Sequence, residues 1–474
     1  MTPWEPLLTD PIDAGLLTLS EAQQRVLRAA SQLEAERTVV GHSREGRPIE
    51  LIRIGTGEHR SFWYGGPHSN EPVGVATVVE LVERLATHPE TVRGDIGFDL
   101  ILCVDPDSYV RNENWFAGTV DMAAYYRDFY RQPLSEMPDW DFPIDYLSTS
   151  GSLKRNSTLP ENKALTTALE ISRPYLVYAL HNAEVGGLHY IVKGADQDLI
   201  DRLSALSERF GLPIEEACVD DPSIQPLARG VFPMPSLAGT FEALLNLGHE
   251  NPSSLLPFGA SAAEWCQRYG AVSVVPEIPF WSVATDLTAD DPTVADLARR
   301  TAHQLSAFGA WLADTVEVNS VYLPKDNPWV RSVLDSVGMF RRIPAALVAW
   351  ADTGSAVEAM GPDAVARYSV MLGLCLPQRT RGMLVTALES GGAPAEIVGL
   401  ASEEFESGLA ALNSIPFTAH SVSTLVEVQL TTGLESTAWA NCARGPRRPG
   451  GIATAANAAR SAVEYGVGVG HDDM

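Results

Sequence analysis

Apolar and polar residues along the chain fall into two patterns, one typical of helices and one typical of buried strands. Apolar positions at helical spacing predict helices over residues 20–35, 73–88, 161–172, 197–211, 261–270 and 293–317. Short apolar runs bounded by turn residues predict strands over residues 61–66, 98–105, 175–181, 188–194 and 271–280, after a hairpin over residues 38–55. Because strands alternate with helices, we expect an α/β fold with a mixed, mostly parallel central sheet flanked by helices.

The pattern changes after residue 319. The segments over residues 363–376 and 402–415 have helical periodicity but contain no clusters of histidine and carboxylate residues. We therefore predict two regions: an α/β domain over residues 1–319 and a mainly helical C-terminal extension over residues 320–474. No linker rich in glycine, serine or proline separates them, so we expect the extension to pack against the first domain. It could form one wall of a cleft or an oligomer interface.

Charge and composition exclude some classes of partner. The formal net charge of −26 argues against nucleic acid, because binding to a phosphate backbone depends on lysine and arginine. No apolar run approaches the roughly 20 residues that a membrane span needs. The N-terminus lacks the basic and apolar segments of a secretory signal, and the five cysteines are scattered. We therefore expect a cytoplasmic protein without a thiolate metal site or a membrane partner.

Candidate chemistry lies at the ends of three predicted strands. His68 and Glu71 follow the first strand in the turn "GGPHSNEP", His181 ends another, and Glu277 lies in a third. Alone, a histidine after a strand is more often structural than a ligand, and Glu277 is as consistent with a structural role as with a functional one. However, the carboxyl ends of parallel strands share one edge of a sheet, and a catalytic zinc commonly takes three nitrogen or oxygen ligands. Together the four residues therefore indicate a zinc site.

Around these residues the chain resembles the zinc carboxypeptidases of the M14 type. The resemblance rests on landmarks in the order that the family has them, over roughly residues 38–317. These are the hairpin "VVGHSREGRPIELIRIG", the turn "GGPHSNEPVG", the strand and loop "LILCVDPDSYVRNENWF", the segment "LKRNSTLPENKAL", and the strands "YLVYALHNAE" and "VSVVPEIPFW".

The resemblance implies a role for each residue of the metal site. His68, Glu71 and His181 would bind one Zn²⁺ ion per chain. Glu277 would be the general base, which accepts a proton from the attacking water and passes it to the leaving nitrogen.

The resemblance also implies arginines that contact the substrate. Arg155 matches the family's arginine for the free carboxylate, because a guanidinium binds a carboxylate through two hydrogen bonds, and Asn156 would bind substrate beside it. The arginine that stabilises the oxyanion should lie in the insertion between residues 106 and 160. Arg111, Arg127 and Arg131 are the candidates there, and we favour Arg127.

Several departures from the family pattern concern specificity. Asn70 stands where family members often have an arginine, Lys154 replaces the asparagine before the carboxylate-binding arginine, and Ser108 replaces a glycine. The tyrosine that closes over substrate in the family has no clear match, and Tyr190 and Tyr269 are poor candidates. The terminal residue that the protein recognises could therefore be unusual.

From these residues we expect a zinc-dependent hydrolase that removes a C-terminal residue from a peptide or a peptide-like metabolite with a free carboxylate. One alternative is an N-acyl amino acid amidohydrolase on the same scaffold, although the opening hairpin favours the peptidase branch. Another is a non-catalytic relative that binds a peptide terminus, which the presence of all four core residues disfavours. The sequence leaves the substrate, the pathway and the oligomeric state open.

Overall fold

A mixed eight-stranded sheet forms the centre of the protein. The computed structural model describes residues 4–92, 94–118, 120–217, 224–246, 248–283, 293–352 and 362–443. The strands within these ranges are β1 (Glu36–His42), β2 (Pro48–Ile54), β3 (His59–Tyr64), β4 (Ile96–Ile101), β5 (Ile144–Leu147), β6 (Ser152–Arg155), β7 (Leu176–Ala179), β8 (His189–Lys193), β9 (Val231–Pro233), β10 (Val272–Glu277), β11 (Trp281–Val283) and β12 (Phe417–Ala419).

The order of strands in the large sheet is β1-β2-β4-β3-β7-β10-β8-β9. The four central strands β4, β3, β7 and β10 are parallel. The pairs β1–β2, β2–β4 and β10–β8 are antiparallel, and β8–β9 is parallel. This arrangement confirms the predicted mixed, mostly parallel sheet. It also brings the carboxyl ends of β3, β7 and β10 side by side at one edge of the sheet.

Helices cover both faces of the sheet and make up most of the C-terminal region. They are α1 (Glu5–Thr9), α2 (Leu19–Gln32), α3 (Val73–Thr87), α4 (Pro106–Tyr109), α5 (Met122–Arg127), α6 (Pro160–Ser172), α7 (Gln197–Arg209), α8 (Leu237–Asn246), α9 (Ala262–Cys266), α10 (Val294–Val318), α11 (Pro328–Asp352), α12 (Pro362–Val370), α13 (Leu376–Ser390), α14 (Ala395–Asn413) and α15 (Val422–Ala443). A π-helical segment, Met371–Cys375, joins α12 to α13. Within the described ranges, no helix is both long and apolar enough to cross a membrane.

Alternation of side chains along β3 shows how the two faces are filled. Trp63 belongs to a large hydrophobic cluster on one face, which includes residues of α2, α3 and α15. Phe62 and Tyr64 belong to a second cluster on the other face, which includes residues of α6 and α9. Successive side chains of a strand point to opposite faces, so the apolar run over residues 62–64 at the end of β3 reflects burial on both sides.

The last helix, α15, lies directly on the sheet. A Cβ atom at Gly433 would stand 2.2 Å from Cη2 of Trp63, so only glycine permits this approach. Tyr178 of β7 donates a hydrogen bond to the carbonyl oxygen of Gln429 (2.8 Å), and the Ser61 and Thr437 hydroxyls are 2.8 Å apart. The C-terminal region therefore completes the core of the sheet.

Two further contacts join the C-terminal region to the rest of the protein. β12 pairs antiparallel with β11, which follows the strand that carries Glu277. α11 packs along α10, and one hydrophobic cluster includes residues of both helices and of the sheet. The predicted helical character of the region after residue 319 is confirmed. A domain boundary between residues 319 and 320 stays a prediction.

The insertion over residues 106–160 is built from short helical turns and a hairpin. Its aromatic residues are packed in the interior, among them Tyr109, Tyr125, Tyr126 and Phe129. β5 and β6 form the hairpin at its end. Because these elements are only three to six residues long, each is too short to give a periodic sequence pattern.

Candidate active site

A tight turn after β3 holds His68 and Glu71. Gly66 has φ of 60°, which glycine adopts without strain, and a Cβ atom at Gly65 would stand 2.8 Å from the carbonyl oxygen of Leu102. The two glycines therefore let the chain reverse against the next strand before α3 begins. This turn brings Nδ1 of His68 to 2.9 Å from Oε1 of Glu71, and both side chains are buried.

The neighbouring strands bring the other two predicted residues to the same place. His181 follows β7, and its Nδ1 atom is 3.1 Å from Oε2 of Glu71. Glu277 is the last residue of β10 and is only partly buried, with Oε1 3.7 Å from the same nitrogen. The structure thus brings together the four residues that were selected from three separate sequence segments.

Asp139 is a fifth member of the cluster and was not selected from the sequence. It lies in a 3₁₀ turn of the insertion, and its two carboxylate oxygens are each 3.4 Å from a histidine Nε2 atom, one on His68 and one on His181. Each imidazole therefore faces Glu71 with Nδ1 and Asp139 with Nε2. The short segment that carries Asp139 has no pattern that distinguishes this aspartate from others in the insertion.

Burial and charge act against each other in this cluster. Burial favours the neutral form of Glu71, but His68, Arg131 and His181 outweigh it and hold the pKa of that carboxyl well below its usual value. Burial likewise opposes ionisation of Asp139, yet the two histidines keep its pKa below the usual range. Burial favours neutral His181, whereas Glu71, Asp139 and Glu277 raise its pKa well above that of a free histidine. The site therefore favours ionised carboxylates at Glu71 and Asp139 and a protonated imidazole at His181.

The cluster fits a divalent metal ion. Nδ1 of His181 is buried and has no hydrogen-bond partner of good geometry among the described residues, although it lies next to two carboxylates. Buried polar groups normally have a partner, and a ligated cation would provide one. His68, Asp139 and His181 also hold one ligand atom each within 4.8 Å of one another.

A carboxylate lies on each side of the imidazoles. Glu71 contacts both Nδ1 atoms, and Asp139 contacts both Nε2 atoms. Glu277 approaches Nδ1 of His181, so the Nδ1 side is the one on which a metal and a base would be neighbours. Metal-bound histidines usually donate their other ring nitrogen to a carboxylate, a role that Asp139 fits for both imidazoles.

Arg131 is the arginine that the structure brings to this cluster. It donates to Oε1 of Glu71 (2.7 Å) and to Oδ1 of Asn70 (3.0 Å), and Nη2 is 3.1 Å from Nδ1 of His68. Arg127, the residue favoured from the sequence, instead donates to Glu406 and lies over the ring of Phe405 at the surface.

The structure does not bring Arg127 to the cluster, because its side chain leaves α5 toward α14. Arg111, the third candidate, donates to the carbonyl oxygen of Asp107 and to Glu45. The sequence predicted an oxyanion arginine in the insertion but could not choose among the three candidates, since their positions depend on how short turns fold.

Arg155 and Asn156 are also held away from the cluster. Arg155 ends β6, and its guanidinium donates to the carbonyl oxygens of Lys154, Ser253 and Leu256. Asn156 is exposed, and neither residue lines the cavity that surrounds the cluster. These carbonyl oxygens accept hydrogen bonds from the guanidinium N–H groups of Arg155 that a substrate carboxylate would need. A substrate-binding role for these two residues stays a prediction.

A large cavity surrounds the cluster. Its volume is about 900 Å³, which is within the range of ligand pockets, and His68, Glu71, His181 and Glu277 all line it. Part of its wall comes from the sheet, and another part comes from α11, α12, the π-helical segment and α13. The C-terminal region therefore does form one wall of the cleft.

A chain of hydrogen bonds links the cluster around His68 and Glu71 to the C-terminal region. Asn70, which contacts Arg131, donates to the hydroxyl of Tyr125 (3.2 Å), and Tyr125 donates to Oε2 of Glu184 (3.0 Å). Arg379 of α13 donates to the same carboxylate, and the Tyr126 hydroxyl donates to its other oxygen. Glu184 is buried, so Arg379 neutralises a charge that the protein interior would otherwise disfavour.

Comparison with protein families supports the resemblance. The model of the zinc carboxypeptidase family, peptidase M14, matches residues 24–127, a segment that contains His68 and Glu71. The resemblance to zinc carboxypeptidases is thereby confirmed for this segment. The other two residues of the cluster, His181 and Glu277, lie outside it. No curated protein matches the chain.

Several solved structures are distantly similar. A metallopeptidase from Shewanella amazonensis is 12% identical, with 55% of this chain and 84% of that chain covered and a TM-score of 0.36. Carboxypeptidase A from Helicoverpa armigera is 12% identical, with 70% and 74% covered and a TM-score of 0.36. A metallo-carboxypeptidase from Burkholderia cenocepacia is 17% identical, with 54% and 59% covered and a TM-score of 0.30. These scores are too low to identify a function, which has to be inferred from the site.

Proposed function

We propose that the protein is a zinc-dependent hydrolase that removes the C-terminal residue of a peptide or a peptide-like metabolite. One observation carries this proposal: His68, Glu71, His181 and Glu277 converge at the carboxyl ends of three adjacent parallel strands, inside a cavity large enough for a substrate. The match of residues 24–127 to the zinc carboxypeptidase family supports the choice of metal and of reaction class.

In this proposal each residue of the cluster has a separate task. His68, Glu71 and His181 would hold the zinc ion, which when bound acts as a Lewis acid and lowers the pKa of a water molecule. Asp139 would accept hydrogen bonds from both imidazoles and so fix their orientation.

Glu277 is placed to move the proton. Its carboxylate lies in the cavity beside His181, where it would accept a proton from the attacking water and return it to the leaving nitrogen. The partly exposed position keeps it accessible to substrate, whereas Glu71 and Asp139 are almost fully buried.

Arg131 is the residue that we propose for stabilising charge on the carbonyl oxygen. It lines the cavity and contacts Glu71, so its guanidinium would stand beside the carbonyl of a substrate bound at the metal. This assignment replaces Arg127, whose side chain pairs with Glu406 at the surface.

Hydrolysis of an N-acyl amino acid is the second candidate. The scissile bond is an amide in both reactions, and the cluster of four residues has the same task in each. A non-catalytic binding protein is disfavoured, because a protein that only held a peptide would not need a carboxylate at the position of Glu277.

The test of the proposed function is a product analysis with purified protein loaded with one equivalent of zinc. A mixture of peptides and N-acyl amino acids is incubated with the protein, and the products are identified by mass spectrometry. We expect release of single C-terminal residues, and removal of zinc by a chelator should stop it. Cleavage at internal bonds, or no cleavage by protein with stoichiometric zinc, would contradict the proposal.

A further inference from the structure

The cavity has a long wall formed by one face of α11. Ser332, Ser336, Met339, Ile343, Leu347 and Trp350 all line it. Their spacing of three or four residues places them on one stripe of the helix. At a rise of 1.5 Å per residue, the stripe is about 27 Å long. A cleft that only had to hold one terminal residue would not need a wall of this length.

The end of this stripe near Ser332 is fixed beside the metal cluster. The Ser332 hydroxyl donates to the carbonyl oxygen of Arg131 (2.6 Å), and Arg131 contacts Glu71. Three residues further on, Asp335 accepts a hydrogen bond from the backbone N–H of Leu134 (3.1 Å). The polar part of α11 is therefore anchored to the insertion that carries Arg131 and Asp139.

Beyond Ser336 the character of the stripe changes from polar to apolar. Met339, Ile343, Leu347 and Trp350 follow, and Met371 of the π-helical segment lines the same cavity. Of these side chains only Leu347 is fully buried, and the others keep part of their surface accessible. The apolar part of the stripe is about 16 Å long, which corresponds to four or five extended residues.

This apolar stretch is a binding surface for an elongated apolar group. Partly accessible apolar side chains that line a deep cavity gain free energy when a ligand covers them. Arg342 also lines the cavity, but it is exposed, so its charged end can stay in water while its methylene groups extend the apolar surface.

We propose that this surface, formed by Met339, Ile343, Leu347, Trp350 and Met371, binds a long apolar chain on the carbonyl side of the scissile amide. The proposal rests on the proposed function. The residue that the enzyme removes is attached through the nitrogen of the scissile amide, so only one residue lies on the nitrogen side. We therefore assign the long wall to the part of the substrate on the carbonyl side. The chain is either an aliphatic acyl group or a run of apolar residues, since both present the same surface.

A series of substrates with increasing chain length tests this inference. One arm uses N-acyl derivatives of a single amino acid, from acetyl to dodecanoyl, and the other uses peptides with one to four leucines before the terminal residue. We expect kcat/KM to rise by up to about 4-fold for each methylene buried, until the surface is covered. The arm with the steeper rise identifies the source of the apolar chain.

Two variants on the same helix make the test specific. Ile343→Trp fills the apolar stretch and should lower the ratio of long-chain to short-chain kcat/KM by at least about 10-fold, a change of about 1.4 kcal/mol. Val348→Trp is the matched control, because Val348 is on α11 but does not line the cavity and is 40% exposed. The control should leave the ratio unchanged.

Binding to the Glu277→Gln protein separates this inference from the proposed function. Calorimetry with the acyl series should show tighter binding and a more negative heat-capacity change as the chain lengthens. If the wild-type protein hydrolyses none of these amides while this trend remains, the hydrolase is rejected and the apolar surface is supported. A flat dependence on chain length in both arms, or equal effects of the two α11 variants, would overturn the inference.

Discussion

The strand-edge site and the C-terminal helical region encode their functional residues in different ways. At the strand edge, each candidate residue sits in or next to a short strand whose ends are fixed by the sheet. In the C-terminal region, helices α11 to α13 contribute residues through packing over long distances along the chain. Arg379, for example, meets Glu184 across 195 residues. Local sequence therefore predicts chemistry well at the strand edge and poorly in the helical region.

The largest expected effect is at a proposed metal ligand. Substitution His181→Ala should abolish stoichiometric zinc and hydrolysis together, because it removes one of three proposed ligands and leaves two buried carboxylates without the imidazole that contacts both. Metal analysis after dialysis and an activity assay measure both effects. His189→Ala is the matched control, since His189 lines the same cavity but hydrogen-bonds to the carbonyl oxygen of Gly187. Loss of zinc in the control as well would mean that the ligand set is wrong.

The next effect separates two arginines of the insertion. Arg131→Ala should lower kcat by about 100- to 1,000-fold with zinc retained, as expected for a donor to the developing oxyanion. Arg127→Ala should change kcat by less than 2-fold, and stability by no more than the roughly 1 kcal/mol of an exposed ion pair. Steady-state kinetics on both proteins measure these changes. A larger loss of kcat from Arg127→Ala than from Arg131→Ala would support Arg127 as the arginine that stabilises the oxyanion.

A smaller effect is expected at Asp139, which supports the histidines. Asp139→Asn should weaken zinc binding by about 10- to 100-fold without abolishing it, because the amide can accept a hydrogen bond from only one imidazole. Competition with a chromogenic chelator gives the zinc affinity. If Asp139→Asn removed zinc as completely as His181→Ala, Asp139 would be a ligand and Glu71 its supporting carboxylate.

The smallest effect on chemistry is expected in the C-terminal region, where the change appears first in stability. Arg379→Met leaves the buried Glu184 without its cation and should lower the unfolding free energy by about 3 kcal/mol. Thermal unfolding measures this loss, and Arg379→Lys should recover part of it. Zinc content should stay unchanged in both proteins. No fall in melting temperature for Arg379→Met would show that the link between the two regions is not energetically important.

Most of the fold and the strand-edge residues could be predicted from sequence for a physical reason. An apolar run such as residues 62–64 at the end of β3 fits a strand buried on both faces, and the glycines after it allow the chain to turn before the next helix. His68, Glu71, His181 and Glu277 follow from those positions because parallel strands share their carboxyl edge.

The remaining residues of the site depend on contacts that no local pattern records. Asp139 and Arg131 lie in an aperiodic insertion whose turns are fixed by buried aromatic side chains such as Tyr125. The resemblance could name three arginines but could not show that Arg127 faces Glu406. Likewise, the apolar stretches of the C-terminal region predicted helices, but their position over the cavity results from tertiary packing.

The most direct test of the central claim is a comparison of zinc content and turnover in the wild-type and Glu277→Gln proteins. We expect one zinc ion per chain in both proteins and a loss of at least about 1,000-fold in kcat for the variant, because the glutamine cannot accept the proton from water. An unchanged kcat in a variant with full zinc would contradict the role of Glu277 and, with it, the proposed hydrolytic site.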